Sequence, residues 1–124
     1  MATVLLVDDE PLVRRGLRMR LAREPDLTVV GEAGDGAAAL QLAGALRPDV
    51  VLLDLHLPDR DGIAVTAMLR ADVPHSRVVI HSLRDDAATR ARALAAGAAG
   101  FAGKGEGVAA LLATIRRAVG EATA

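Results

Sequence analysis

Short uninterrupted apolar runs alternate along this chain with longer stretches whose apolar residues recur every three or four positions, and the alternation repeats five times. The runs at 4–7, 27–31, 49–53, 77–80 and 99–102 read as strands, and 49–53 is the clearest because it is continuously apolar after Asp49 and stops at Asp54. Between them, Val13, Leu17 and Leu21 predict a helix over 11–23, and Ala39, Leu42, Ala43 and Leu46 one over 37–46. Further helices are predicted over 63–69, over 86–96 with Gly97 as its cap, and over 108–119, where Val108, Leu111, Leu112, Ile115 and Val119 form one stripe. Strict strand–helix alternation with short loops predicts an α/β fold, a doubly wound parallel sheet covered on both faces. The 124 residues suffice for one domain, expected to span 1–124 with its core at about 3–120 and a short tail at 121–124.

Polar residues gather where these strands end. In an open parallel sheet the carboxyl ends of the strands form the ligand-binding edge. There lie Asp8 and Asp9 after the first strand, Asp54 after the third, Ser82 just after the fourth and Lys104 just after the fifth. Each also has an ordinary reading: Asp9 as a helix N-cap ahead of Pro11, Ser82 as a turn former, Asp54 as an Asx-type turn residue. Composition sharpens the picture at one position. Fourteen of the fifteen basic side chains are arginine, so Lys104 is the single lysine, and it follows the single aromatic residue, Phe101, by three positions.

A net charge of −1 gives no global attraction to nucleic acid or to an anionic membrane, and the absence of cysteine excludes disulfide and thiolate chemistry. No apolar run approaches the ~18 residues of a membrane span. Met1 leads directly into a strand instead of a basic, cleavable leader, so a cytoplasmic location is expected.

Three ionised aspartates against one lysine leave about two uncompensated negative charges, an arrangement that a hard cation relieves. Magnesium suits it, favouring carboxylate, carbonyl and water oxygens. One carboxylate is then available as a nucleophile toward a phosphoryl group, with the cation and an ammonium balancing charge and Ser82 adding a directional donor. The product is a phospho-aspartate.

These residues resemble the receiver domains of two-component response regulators. The resemblance runs from Val4 to about Val119 and is carried by Leu5-Leu6-Val7-Asp8-Asp9-Glu10, by the run from Pro48 to Pro58 with Asp61-Gly62, by His81-Ser82, and by Gly97-Ala98-Ala99-Gly100-Phe101 leading to Lys104. It implies a flavodoxin-like (βα)5 sheet with strand order 2-1-3-4-5. It implies that Asp54 accepts a phosphoryl group from the phosphohistidine of a sensor histidine kinase in a Mg2+-dependent reaction. Asp9, Asp54 and the backbone carbonyl of His56 would bind the magnesium directly, and Asp8 mostly through water. Ser82 and Lys104 would contact the phosphoryl oxygens, and Phe101 would turn inward as Ser82 moves. The implied protein is a signalling domain, not an enzyme acting on external substrates, that catalyses only its own phosphorylation and dephosphorylation. It would control an output domain or partner, in transcription regulation, with homodimerisation as an expected mode and DNA reached only through an output domain outside this chain.

His56 and Arg84, each two positions beyond a site residue, are expected to tune the lifetime of the phosphorylated state at the pocket mouth. The sequence departs from the family pattern in having Gly105 after the lysine, where proline is common, and Leu83 after the hydroxyl, where a small residue is common; Leu83 is expected to tighten access. Arg14, Arg15 and Arg18 offer an alternative, basic contact face on the first helix. A phosphohydrolase reading lacks a second aspartate at His56. A nucleotide or flavin site finds only Gly31, Gly34 and Gly36 out of motif order. A zinc site from His56, His75 and His81 has no supporting spacing.

Overall fold

The computed structural model describes residues 1–123. Five strands and five α-helices alternate: β1 Ala2–Val7, α1 Pro11–Leu21, β2 Leu27–Ala33, α2 Gly36–Leu46, β3 Val50–Leu53, α3 Gly62–Asp72, β4 Arg77–Ser82, α4 Ala87–Ala95, β5 Gly100–Gly103 and α5 Val108–Thr123, with a short 3-10 turn, η1, at Lys104–Glu106. The strands form one parallel sheet, as the alternation predicts, in the order β2-β1-β3-β4-β5 that the resemblance implies.

Alternation along each strand divides the core in two. Leu5, Val7, Val51, Leu53, Val78 and Ile80 pack with Ala39 and Ala43 of α2, Val65 and Leu69 of α3 and Ala93 of α4. Val4, Leu6, Val50, Leu52 and Val79 face the other way, onto Leu21 of α1 and Leu111, Leu112, Ile115 and Ala118 of α5. β1 from Val4 to Val7 and the whole of β3, interior in the sheet and covered on both sides, therefore carry no polar residue until their last apolar position is passed. Burial of each large side chain contributes about 1.5–3 kcal/mol, which fixes the strand ends and hence the residues that follow them.

Several element boundaries differ from the sequence reading. β2 continues two residues past Gly31, through Glu32 and Ala33; Val4 pairs with Val29 and Leu5 with Gly31, so Val30 is a bulge residue of β2 that interrupts the apolar alternation. β4 runs on through His81 and Ser82, paired with Ala102 and Gly103. α3 extends from Gly62 to Asp72, and α1 closes at Leu21. α5 continues through residues 121–123, placed in the tail by the sequence; Ala124 lies outside the described residues. Gly97, at φ 109°, ends α4 as expected, its amide bonded to the Leu94 carbonyl at 3.0 Å while Ala98 N–H reaches Ala93 at 3.1 Å.

Candidate phosphoryl-acceptor site

The sheet ladder continues one residue beyond β1 and β3. Asp8 N–H donates to the Ala33 carbonyl at 3.1 Å and Asp54 N–H to the Val7 carbonyl at 2.9 Å. Both carboxylates are thereby fixed at the sheet edge, and both are buried, at 3% and 6% exposure. Each then binds the amide two positions on: Asp8 Oδ1 accepts from Glu10 N–H at 3.0 Å, Asp54 Oδ1 from His56 N–H at 3.2 Å, and Ser82 Oγ likewise accepts from Arg84 N–H at 3.1 Å. The turn reading of Asp54 and Ser82 is thus correct as local structure, and it orients the second carboxylate oxygen of Asp54 into the site.

That second oxygen meets Lys104. The ammonium donates to Asp8 Oδ2 at 2.8 Å and to Asp54 Oδ2 at 3.1 Å, joining residues 96 and 50 positions apart. Burial, the largest single influence, works to lower the lysine pKa, but hydrogen bonds to Asp8 and Asp54 and their charges outweigh it and hold the ammonium above its ordinary range. Asp9 stands beside this pair, half-buried. It is not the helix cap: Glu10 occupies that position with Pro11 in the first turn and no side-chain cap bond. One carboxylate oxygen each from Asp8, Asp9 and Asp54 lie within 4.8 Å of one another. Three acidic oxygens this close, with one ammonium among them, fit a small divalent cation held by oxygen ligands.

Around the carboxylates opens a pocket of about 720 Å³, lined among others by Asp9, Asp54, His56, Ser82, Arg84 and Lys104. The loop from Asp54 to Asp61 folds back against itself because Gly62 packs on the backbone of Leu55, where a Cβ would lie 2.5 Å from Leu55 Cα. Leu83 does not fill the opening; it stands on the rim, 78% exposed. Burial and the Lys104 cation hold the His81 imidazole below its ordinary pKa, against the opposing influence of Asp54 and Asp8. His75, by contrast, pairs with Asp49 at 3.2 Å before β3, so the three histidines form no common site.

Phe101 is half-buried, packed against the first core cluster on one side and covered on the other by the Arg90 guanidinium, 4.6 Å from the ring centroid. It is therefore neither an ordinary core residue nor a free one. Arg14 and Arg18, read from sequence as a contact face, both pair with Glu32, at 3.2 and 2.8 Å, and Arg14 also donates to the Asp8 carbonyl. Arg15 alone of the three stays exposed without such a pair among the described residues.

Three contributors escaped the sequence reading. Asp59 accepts from Gly36 N–H at 2.7 Å and Ala37 N–H at 3.0 Å, tying the loop after β3 to the start of α2. Arg90 and Glu106 join α4 to the segment carrying Lys104. Only Asp59 had a signal, as an acidic residue in a Pro-Asp-Arg-Asp-Gly turn.

Comparison with known proteins agrees with this geometry. Residues 4–116 match the family model of the response regulator receiver domain. The chain is 39% identical over 100 residues to the nitrate/nitrite response regulator NarL of Escherichia coli K12, covering 81% of this chain and 46% of that protein. It is 46% identical over 98 residues to the probable transcriptional regulatory protein NarL of Mycobacterium tuberculosis, covering 79% and 45%. The chain thus spans about half the length of these curated relatives. Among solved structures, a LuxR-family two-component response regulator from Aurantimonas sp. SI85-9A1 superposes with a TM-score of 0.93 at 35% identity, covering 98% of this chain and 86% of that one. The signal receiver domain of the putative response regulator NarL from M. tuberculosis gives 0.86 at 40%, covering 94% and 95%. Fold, acidic edge and these likenesses together make the chain a member of the response regulator receiver domain family.

Proposed function

We propose that this chain is a phosphorylation-operated switch in which Asp54 accepts a phosphoryl group from the phosphohistidine of a sensor histidine kinase. The supporting observation is the contact of Lys104 with both Asp8 and Asp54, beside the third carboxylate of Asp9. An Asp54 carboxylate oxygen attacks phosphorus, the phosphorus–nitrogen bond of the donor breaks, and the leaving imidazole nitrogen keeps the electron pair and takes a proton from water. Asp9, Asp54 and the His56 carbonyl are the residues assigned to hold Mg2+, with Asp8 one shell further out. When bound, the ion supplies charge neutralisation among the carboxylates and the transferring oxygens.

Lys104 exchanges its contact with Asp54 for a phosphoryl oxygen while keeping Asp8. Ser82 Oγ, bonded to the Arg84 amide before the reaction, turns to the phosphoryl group. Its movement vacates space toward which Phe101 rotates, and two packings a few kcal/mol apart are then rebalanced. His56 and Arg84 at the pocket mouth set how readily water reaches the phosphorus in line.

The described residues form one receiver unit with its core at about 3–120. Its setting is the cytoplasm, and its output is transcription control through a further domain or a partner, with homodimerisation as the mode of coupling. Acetyl phosphate with magnesium, followed by borohydride reduction, tests the reading. Homoserine is expected at position 54 and nowhere else, and none when the metal is chelated; a modified residue elsewhere, or full reaction in chelator, rejects it.

A further inference from the structure

We propose that Glu106 is a positioning residue that holds Lys104 between Asp8 and Asp54, with Arg90 of α4 setting how firmly it does so. The proposal rests on the reading of Lys104 as a partner in phosphoryl transfer. A lysine reaches its partners through a flexible four-carbon stem carrying about 2 kcal/mol of rotamer entropy. The placement of its ammonium therefore depends on how rigidly its backbone root is held.

That root lies where the sheet has just ended: Gly103 makes the last β4–β5 pair, with Ser82, and Lys104 opens the three-residue turn η1. Glu106 closes this turn on itself, its Oε1 accepting from Gly103 N–H at 2.8 Å, the amide directly ahead of Lys104. Gly103 makes room for it. A Cβ at that position would stand 2.9 Å from Glu106 Oε1 and 2.6 Å from Asp85 Oδ2.

The same Glu106 oxygen also accepts from Arg90 Nη2. Arg90 is itself anchored, donating from Nε to the Asp85 carbonyl at 3.0 Å and from Nη1 to the Phe101 carbonyl at 3.5 Å, with its guanidinium over the Phe101 ring. One carboxylate thus joins α4, the residue assigned to the switch and the root of the only lysine. Glu106 contacts no reacting atom, and a cap of so short a turn would by itself affect only local stability; the link through Gly103 is what gives it a bearing on Lys104.

The single lysine makes the test clean. In protein labelled with 13C-lysine, the ε-methylene group gives one signal, whose two protons are distinct when the side chain is fixed and equivalent when it rotates freely. We expect distinct protons in the unaltered chain, coalescence in Glu106→Ala, and a rate of phosphorylation by acetyl phosphate lowered about tenfold in that variant, the scale on which misplaced groups act. Glu106→Gln keeps an acceptor for Gly103 and loses the ion pair, as does Arg90→Gln. Each is expected to slow the reaction about threefold, and the double variant less than the two losses combined, because both remove the Arg90–Glu106 ion pair while Arg90→Gln also gives up the Asp85 and Phe101 contacts. Gly103→Ala, which displaces the carboxylate, should reproduce Glu106→Ala.

A lysine signal and rate unchanged in Glu106→Ala would overturn the proposal. So would additive losses in the Gln pair, which remain measurable if the alanine variant does not fold. Failure of the unaltered chain to be phosphorylated would reject the phosphoacceptor reading instead, while the lysine signal still decides the role of Glu106.

Discussion

Two aspartates flank the same strand and have opposite fates. Asp49, immediately before β3, is held by neutral donors and one imidazole: its Oδ2 accepts from Thr3 N–H at 2.8 Å and Thr3 Oγ at 3.2 Å, and its Oδ1 meets His75 at 3.2 Å. Its own amide returns a bond to Thr3 Oγ at 2.9 Å. Asp54, immediately after the strand, shares a single ammonium with Asp8 and has Asp9 alongside. The first arrangement staples β1 to β3. The second concentrates negative charge around one lysine, which is poor design for stability and suited to a cation and a phosphoryl group. Residue type and strand are shared; the end of the strand and the surrounding donors differ.

The contrast breaks most severely at Lys104. Lys104→Arg preserves charge, yet a planar guanidinium does not fit between two buried carboxylates held 2.8 and 3.1 Å from one ammonium. Phosphorylation is expected to fall about a hundredfold, measured as the initial rate with acetyl phosphate; a normal rate would reduce Lys104 to a bystander.

Next in size is the conformational response. Binding of a beryllofluoride phosphoryl mimic should alter amide exchange most between residues 83 and 107, including Phe101, and little around Asp49 and Thr3. Changes confined to α1 would show that the switch through Ser82 and Phe101 is wrong.

A smaller effect is expected at the pocket mouth. Arg84 and His56 are exposed and line the pocket. Arg84→Ala should change the dephosphorylation rate several-fold with little change in Tm; unchanged decay in both Arg84→Ala and His56→Ala would remove them from the mechanism.

The opposite end of the sheet supplies the smallest effect. Thr3 N–H, the largest influence, holds the Asp49 carboxyl below its ordinary pKa against the opposing pull of burial. A depressed folded value means stability present above the unfolded carboxylate value of about 3.9 and lost as pH falls through the folded value. Asp49→Asn should therefore cost about 1 kcal/mol near neutrality and flatten the stability profile below about pH 4. An acid limb as steep as that of the parent chain would show that Asp49 is not part of the staple.

The parallel sheet and the strand ends at Asp8 and Asp54 were legible because β1 from Val4 to Val7 and all of β3 are apolar on both faces. Lys104 stood out by being unique. The extent of β2 was hidden because its bulge breaks the alternation at Val30 and its polar Glu32 faces α1, where Arg14 and Arg18 meet it. The bond from Arg90 to Glu106 was invisible for a different reason. It joins a helix to a turn sixteen positions away, a distance with no helical or strand period, and becomes apparent only once β5 has brought η1 beside α4.

The central claim, that Asp54 and not its counterpart across β3 is the phosphoacceptor, is tested most directly by intact mass after incubation with acetyl phosphate and magnesium. One added phosphoryl group is predicted for the parent chain and for Asp49→Asn, and none for Asp54→Asn. An aspartyl phosphate formed to the same extent in Asp54→Asn would contradict the account.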